Sequence, residues 1–354
     1  MNFIFVGKVV MKYTALLLFT VLLNHTYCQL VCTHLKDFTG SGRFKTASFV
    51  VNGKGYMVCG RTNSTPLTYV SECWEYNPST ETWAQKAAFP YAASQPVGFA
   101  VGNRGYVLGG QDQNLIYANT LYEYNANNNT WVPKSPFPEN GVGGCFHFVI
   151  NNKAYVGTGA RNNANNSITF YEYNPATDTW TNKADFPGSA RVNAVGFSIG
   201  NFGYAGLGTT GSNVLFNDFY KYDPSTNSWS SIAPFPGRPR FEAMAFTIDG
   251  KGYVGGGVAY VNGCYIALGD FYEYDPVTNK WTPVTGIAGP GRGFSAVFAV
   301  NNNAYLVGGN DYIDDTYYKF IERFTSCREI STENSTLPPD EFSFNLSPIL
   351  PMTS

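Results

Sequence analysis

The stretch Tyr173-Asn174-Pro175-Ala176-Thr177-Asp178-Thr179-Trp180 is one of five near-copies of a single phrase in this chain. Each copy opens with a tyrosine, turns through Asn or Asp, usually followed by Pro, and ends in a tryptophan. The tryptophans are Trp83, Trp131, Trp180, Trp229 and Trp281, at steps of 48, 49, 49 and 52 residues. Self-similarity at a period of this size indicates a repeat architecture in which each copy is one structural unit.

Two further anchors recur six times in register with this phrase. One is an apolar strand that ends in a glycine pair or its remnant, at Cys59-Gly60, Gly109-Gly110, Gly157-Thr158-Gly159, Gly206-Leu207-Gly208, Gly255-Gly256-Gly257 and Gly308-Gly309. The other is a phenylalanine in the strand before, at Phe49, Phe99, Phe148, Phe197, Phe246 and Phe298. Asn-Gly or Asn-Asn turns between them predict hairpins, and Tyr-x-Tyr predicts a half-buried strand. Each unit is therefore predicted to hold four strands.

A repeat of about 50 residues with four strands, a glycine pair, a tyrosine and a tryptophan resembles the kelch family. The resemblance covers roughly residues 32 to 327. It implies an all-β fold, a six-bladed β-propeller of four-stranded antiparallel blades around a central channel. A lone blade buries too little surface to be stable, so we expect the blades to close into a ring.

The first strand of the propeller is predicted to complete the last blade. The sixth unit lacks a fourth strand that opens with tryptophan, whereas residues 32–43 parallel the stretch from Trp180 to Arg191. Cys32 stands where the tryptophan would be. Without closure of the ring, two blade edges would stay exposed.

The two ends of the chain lie outside the repeat. Residues 1–28 are predicted to be a signal peptide, because Lys12 precedes an apolar run, Ala15 to Leu23, that is too short to span a bilayer. Met11 is an alternative start. Residues 29–327 are assigned to the propeller and residues 328–354 to a disordered tail, with a sorting signal as the alternative. We therefore expect a secreted, extracellular or cell-surface protein, or a periplasmic one.

Cysteines are expected to form disulfides in an exported chain. We predict a bond between Cys32 and Cys327 that locks the ring, and a second between Cys59 and Cys73 across one hairpin. The alternative is that all are reduced. No Cys/His spacing suggests a metal site, so no metal or cofactor is expected.

Composition limits the partners. The net charge of −2 offers no basic field for nucleic acid or for an anionic membrane. We expect a carbohydrate or protein ligand, no nucleic acid, no membrane span, and a monomer.

Two rows of residues at the start of each unit are candidates for ligand binding at the channel mouth. Six residues before the phenylalanine stand Arg43, Arg191, Arg240 and Arg292; four residues before it stand Lys45, Gln95, Asn193 and Glu242. Guanidinium groups suit carboxylates and phosphates. The alternative for the arginines is that they tie neighbouring blades together. For Glu242, a plain ion pair with Arg240 or Arg191 is the alternative to a role as general acid or base.

These features favour a secreted or cell-surface binding module without catalytic activity. Galactose oxidases resemble the chain in their propeller, but their copper site needs two histidines and two tyrosines. Beyond the predicted signal the histidines of this chain are His34, in the closing strand, and His147, beside Phe148, so copper catalysis of that type is not expected. Bacterial sialic acid mutarotases are also exported six-bladed kelch proteins. The alternative function is therefore a metal-independent sugar mutarotase resembling N-acetylneuraminate epimerase, with Glu242 as the candidate catalytic residue, and it rests on that resemblance.

Overall fold

The computed structural model describes residues 30–62, 68–163, 165–211, 213–311 and 316–326. Every regular element in this part of the chain is a β-strand. The strands of the first half are β1 Leu30–His34, β2 Arg43–Phe44, β3 Ala47–Val51, β4 Lys54–Val58, β5 Arg61–Thr62, β6 Thr68–Tyr69, β7 Cys73–Asn77, β8 Thr82–Lys86, β9 Val97–Val101, β10 Arg104–Leu108, β11 Leu121–Asn125, β12 Thr130–Lys134, β13 Phe146–Ile150, β14 Lys153–Gly157, β15 Phe170–Asn174 and β16 Thr179–Asn182. Those of the second half are β17 Val195–Ile199, β18 Phe202–Gly206, β19 Phe219–Asp223, β20 Ser228–Ser231, β21 Met244–Ile248, β22 Lys251–Gly255, β23 Val258–Val261, β24 Cys264–Ala267, β25 Phe271–Asp275, β26 Lys280–Val284, β27 Ala296–Val300, β28 Asn303–Val307 and β29 Ile321–Ser326.

Within the described ranges these strands form six antiparallel sheets of four strands each, here called blades 1 to 6. From the inside outward they are β3-β4-β7-β8, β9-β10-β11-β12, β13-β14-β15-β16, β17-β18-β19-β20, β21-β22-β25-β26 and β27-β28-β29-β1. Two smaller sheets, β2-β5-β6 and β23-β24, are formed by the loops of blades 1 and 5. The expected all-β propeller fold is confirmed.

The N-terminal strand is the outer strand of the last blade. Strand β1 pairs with β29 so that Leu30 lies opposite Ser326 and Cys32 lies opposite Phe324. The inner strands β3, β9, β13, β17, β21 and β27 each contact the next, and β27 contacts β3. The inner strands therefore surround a central channel, and the two ends of the described chain meet in one sheet.

The recurring phenylalanines hold neighbouring blades together. A Cβ built on Gly105 of β10 would lie 2.2 Å from the ring of Phe49 in the blade before, so only a glycine lets the two sheets approach this closely. Gly252 makes room for Phe197 in the same way. Apolar burial of this kind, repeated around the ring, is the main stabilising contribution to the fold.

The repeated Tyr-to-Trp phrase is a turn that also fastens one blade to the next. In the copy that runs from Tyr173 to Trp180, Tyr173 Oη donates a hydrogen bond to Asp178 Oδ1 at 2.7 Å. Asn174 Oδ1 accepts the N–H of Ala176 at 3.1 Å, which closes an Asx turn. Trp180 Nε1 then donates to the carbonyl of Ser135 in the preceding blade at 3.0 Å. The same short segment thus forms the turn and bonds its blade to the blade before.

The cysteines differ from the expectation. Cys32, Cys59 and Cys73 are free thiols, so neither predicted disulfide is formed at these residues, and Cys327 lies outside the described residues. The register explains the first pair, because it sets Cys32 opposite Phe324 rather than opposite the end of β29. The predicted signal peptide and tail also lie outside the described residues. No helix in the described part is long and apolar enough to cross a membrane.

Candidate functional site

One residue from each blade joins a closed circle of backbone hydrogen bonds at one mouth of the channel. These six residues, called the mouth ring, are Lys45, Gln95, Gly144, Asn193, Glu242 and Phe294. The N–H of each bonds the carbonyl of the residue before it in the circle, and the N–H of Lys45 bonds the carbonyl of Phe294, at distances from 2.7 to 3.3 Å. Every blade is thereby bonded to both of its neighbours at this level.

All six members of the mouth ring adopt a left-handed backbone conformation. Their φ angles lie between 54° and 62°. Gly and Asn adopt such angles readily, but Lys, Gln, Glu and Phe seldom do. Residues held this way cost on the order of 1–3 kcal/mol each and concentrate at ligand sites, where the surrounding structure enforces them.

The mouth ring opens into the channel. Its six residues line a cavity of about 210 Å³ together with the first residues of the inner strands. A second cavity of about 220 Å³ continues past Ser48 and His147 towards Ser198 and Thr247. The row that was predicted to lie just inside the mouth, Lys45, Gln95, Asn193 and Glu242, is thus brought together in one cavity.

Two amides meet on one side of the mouth ring. Gln95 Nε2 donates a hydrogen bond to Asn193 Oδ1 at 3.2 Å, although these residues belong to blades 2 and 4. Between them stands Gly144, where a Cβ would lie 2.7 Å from Asn193 Oδ1. The missing side chain in blade 3 therefore lets the two amides touch.

The opposite side of the mouth ring carries a cation, an acid and an aromatic ring. Lys45 Nζ lies 4.5 Å from the ring centroid of Phe294 and 5.4 Å from that of Phe44. Burial lowers the pKa of Lys45, the charge of Glu242 raises it, and the charge of Arg61 lowers it further. Glu242 is 4% exposed. This side can offer an amine and a carboxylate to one small molecule.

Deeper in the channel the wall holds an imidazole that sequence reasoning did not place there. His147 lines both cavities, and burial lowers its pKa to about 4, so the ring is neutral at pH 7. Cys145 lies above it, with Sγ 3.1 Å from the carbonyl of Thr158, and burial raises the pKa of that thiol. Among the described residues, no group of three or more His, Cys, Asp or Glu side chains is arranged to hold a metal ion.

The four arginines are not presented to the channel mouth. Each side chain is at most 1% exposed, and each guanidinium pairs with a carboxylate of the blade that follows it in the chain: Arg43 with Glu72, Arg191 with Asp218, Arg240 with Asp270 and Arg292 with Glu322. The nitrogen-to-oxygen distances are 2.5 to 2.6 Å. The interpretation of an arginine rim open to ligand was therefore wrong. The contacts agree with the alternative, that these residues tie neighbouring blades together, since Arg191 lies over Phe186 at the end of blade 3 and pairs with Asp218 of blade 4. Arg191 and Arg240 pair with Asp218 and Asp270, and an ion pair of Glu242 with either of them stays a prediction.

Blades 2 and 3, which lack this arginine, fill its place by other means. In blade 3, Arg161 lies over the ring of Phe137 and pairs with Glu139 at 2.5 Å. In blade 2, Tyr91 donates from Oη to the carbonyl of Gly109 at 2.9 Å. Sequence reasoning missed both residues, because they stand at other positions of the repeat.

Apolar side chains are exposed on the loops that surround the same mouth. The loops between the second and third strands begin beside the mouth ring, as the bridge between Ser94 and Gln111 shows in blade 2. Their exposed residues include Leu115, Ile116, Val214 and Tyr260, called the loop tips; Leu115 is 63% exposed. The tips come from blades 2, 4 and 5. Exposed apolar groups gathered around a cavity are typical of interaction surfaces.

The comparisons with known proteins agree with this architecture. A family model described as the KLHDC2/KLHL20/DRC7 Kelch-repeats domain matches residues 99–309. No curated protein matches the chain. Among the solved structures that match is that of YjhT, with a TM-score of 0.70 and 17% sequence identity, covering 81% of this chain and 95% of that one. At this identity the likeness is one of fold. The chain belongs to the kelch-repeat family.

Proposed function

We propose that this chain is a secreted or cell-surface binding module that takes a carbohydrate or protein ligand at the mouth ring, without catalysing a reaction. The observation that carries the proposal is the left-handed backbone of all six ring residues, four of which are Lys, Gln, Glu and Phe. Such strain is costly, and it places polar side chains around one cavity. A purely structural ring would be served better by glycine or asparagine.

The chemistry of the cavity favours a carbohydrate. Amides, a carboxylate and an ammonium group supply both donors and acceptors for hydroxyl groups. The ring of Phe294 offers an apolar face beside them. A few convergent polar groups with an aromatic wall are the usual composition of a small-molecule site.

The loop tips extend the surface for a larger ligand. Leu115, Ile116 and Val214 are each about half exposed or more, and they stand on loops that leave the rim of the cavity. A glycan carried on a protein, or a protein loop inserted into the mouth, would cover these apolar groups and gain from their burial.

The binding proposal is tested on a glycan and protein array with matched variants. Asn193→Ala removes the acceptor of the amide pair and is expected to weaken a saturable ligand by tenfold or more, the effect of about 1.4 kcal/mol. Gln85→Ala, on the exposed face of β8, is the control and should bind as the parent does. Binding that survives Asn193→Ala and is lost in Leu115→Ser would move the site from the cavity to the loop tips; no saturable binding at all would contradict the proposal.

The sugar mutarotase remains the second candidate, because Glu242 is buried in the cavity beside Lys45. A carboxylate in that setting is suited to general acid–base catalysis. The buried arginines no longer support it. Exchange between the anomers of sialic acid, followed by NMR with and without protein, tests this activity. Acceleration that disappears in Glu242→Gln would favour the enzyme over the binding module.

A further inference from the structure

The lysine of the mouth ring differs from the lysines that begin the second strands of blades 1 and 3. Lys54 and Lys153 lie at the surface, where each Nζ pairs with a carboxylate, at 2.8 and 2.7 Å. The chain of Lys45 instead turns into the cavity, between the rings of Phe44 and Phe294. An ammonium group gains some cation–π energy there, but it loses most of its hydration.

The surroundings of Lys45 hold it closer to the neutral amine than an ordinary lysine. Burial is the largest influence and lowers its pKa; the nearby charge of Arg61 acts in the same direction, against the charge of Glu242. Desolvation in an apolar pocket and a neighbouring cation are the two devices by which proteins make a lysine nucleophilic. Both are present at this one residue.

We propose that the ε-amine of Lys45 is a nucleophile that captures small aldehydes and ketones entering the mouth ring, as imines. This inference goes beyond the proposed function, since it assigns a covalent reaction to the cavity. It does not depend on the identity of the glycan or protein that binds there.

The reaction needs no partner beyond the carbonyl compound. The nitrogen lone pair of Lys45 forms a bond to the carbonyl carbon, and the electrons of the C=O π bond move to the oxygen. The two amine protons are transferred to that oxygen, which leaves as water when the C=N bond forms. The carboxylate of Glu242, in the same cavity, is placed to carry these protons from nitrogen to oxygen.

The lining of the cavity indicates the substrate class. Its amides, its acid and the ring of Phe294 suit a carbonyl compound that bears hydroxyl groups. Short hydroxyaldehydes and hydroxyketones, including the open-chain forms of small sugars, have this chemistry.

Reductive trapping tests the proposal on the full chain. The protein is incubated at pH 7 with glycolaldehyde and sodium cyanoborohydride, and the labelled lysines are quantified by peptide mass mapping over time. Lys45 is expected to be labelled at least about tenfold faster than the exposed Lys280, because more of its amine is free at pH 7. Labelling of Lys45 at or below the rate of Lys280 would overturn the proposal.

Variants separate the reaction from general reactivity and from misfolding. Lys45→Arg should remove the fast adduct, whereas Lys54→Arg should leave it unchanged; both are checked by thermal unfolding. Because the charge of Glu242 raises the pKa of Lys45, Glu242→Gln should move the pH midpoint of Lys45 labelling downward, and an unmoved midpoint would contradict the assignment of the fast-labelled amine to this cavity. The comparison within the parent protein stands even if Lys45→Arg does not fold. Loss of glycan binding in Asn193→Ala with fast labelling of Lys45 retained would support both inferences, since the two readouts are independent.

Discussion

The guanidinium of Arg161 occupies in blade 3 the place that the guanidinium of Arg191 occupies in blade 4. Arg161 lies 5.1 Å from the ring centroid of Phe137, and Arg191 lies 4.9 Å from that of Phe186. Each donates from Nη1 to a carbonyl at the end of the second strand of its blade, at 3.0 Å. Yet Arg161 follows that strand in the chain, whereas Arg191 precedes the first. In these two blades a guanidinium occupies the same point in space, although it is supplied from opposite directions along the chain.

The cation of blade 3 is expected to contribute strongly to stability. Arg161→Ala leaves the carboxylate of Glu139 partly buried without its partner, which should cost about 3 kcal/mol. Removing both charges, as Arg161→Met with Glu139→Gln, should cost clearly less. Urea unfolding of the two variants and the parent measures the difference. A double variant as unstable as the single one would mean that the ring contact with Phe137, rather than the charge pair, carries the effect.

Strand β1 is expected to be needed for a stable ring. A chain that starts at residue 30 keeps the pairing of β1 with β29 and should unfold as the longer chain does. A chain that starts at residue 35 exposes the edge of β29 and the apolar contacts of Leu30, so it should unfold at a lower temperature and aggregate. Scanning calorimetry and light scattering check both. Equal melting temperatures would show that β1 does not close the ring in solution.

Substitution of Gly144 is expected to reduce ligand binding in addition to the stability that any such glycine loses. Gly144→Ala and Gly53→Ala both place a Cβ at positive φ, of 62° and 71°, and each should lose about 1–2 kcal/mol. Only at Gly144 does the Cβ meet another group, the Oδ1 of Asn193, because nothing lies within 4 Å of Gly53. Ligand binding should therefore fall in Gly144→Ala and persist in Gly53→Ala. Equal ligand binding by both variants would show that the amide pair does not take part in ligand recognition.

His147 is expected to make the protein less stable in acid. Burial lowers its pKa from 6.5 to about 4, so between these values the unfolded chain binds a proton that the folded chain does not. Stability should thus fall by about 2–3 kcal/mol as the pH drops from 6.5 to 4. His147→Gln should remove this part of the pH dependence, whereas His34→Gln, at a half-exposed site, controls for the loss of an imidazole. Denaturant unfolding from pH 4 to 8 supplies the measurement, and identical profiles for His147→Gln and the parent would contradict the expectation.

The fold could be predicted from the sequence because each repeated anchor has a repeated contact. Four of the phenylalanines meet a glycine in the next blade, at Gly55, Gly105, Gly203 and Gly252. Four of the five tryptophans donate a hydrogen bond to a carbonyl of the blade before, namely Trp131, Trp180, Trp229 and Trp281. Such contacts keep the same residues in register in most units. The role of the first strand also followed, because residues 32–43 parallel a segment that includes Trp180 and Arg191.

The direction of the arginine side chains could not be predicted from their positions alone. A signal was nevertheless present. The arginines are accompanied by glycines at Gly40, Gly188, Gly237 and Gly289, whereas the corresponding position holds Tyr91 in blade 2 and Glu139 in blade 3. A Cβ at Gly188 would lie 2.5 Å from Nη2 of Arg191, so the glycine shows that the guanidinium folds back beneath the loop. The left-handed backbone at Lys45 and Glu242 had no such signal, because these residue types seldom adopt it.

The circle of backbone hydrogen bonds fixes the width of the channel mouth, whichever side chains the mouth ring carries. A blade cannot tilt towards or away from the axis without breaking the bonds to both neighbours. The backbone of the mouth ring is therefore rigid, and the selectivity of the cavity is set by the side chains at its six positions. Substitutions at those positions should change which ligand is bound while the mouth ring keeps its dimensions, provided that each new residue accepts a left-handed backbone.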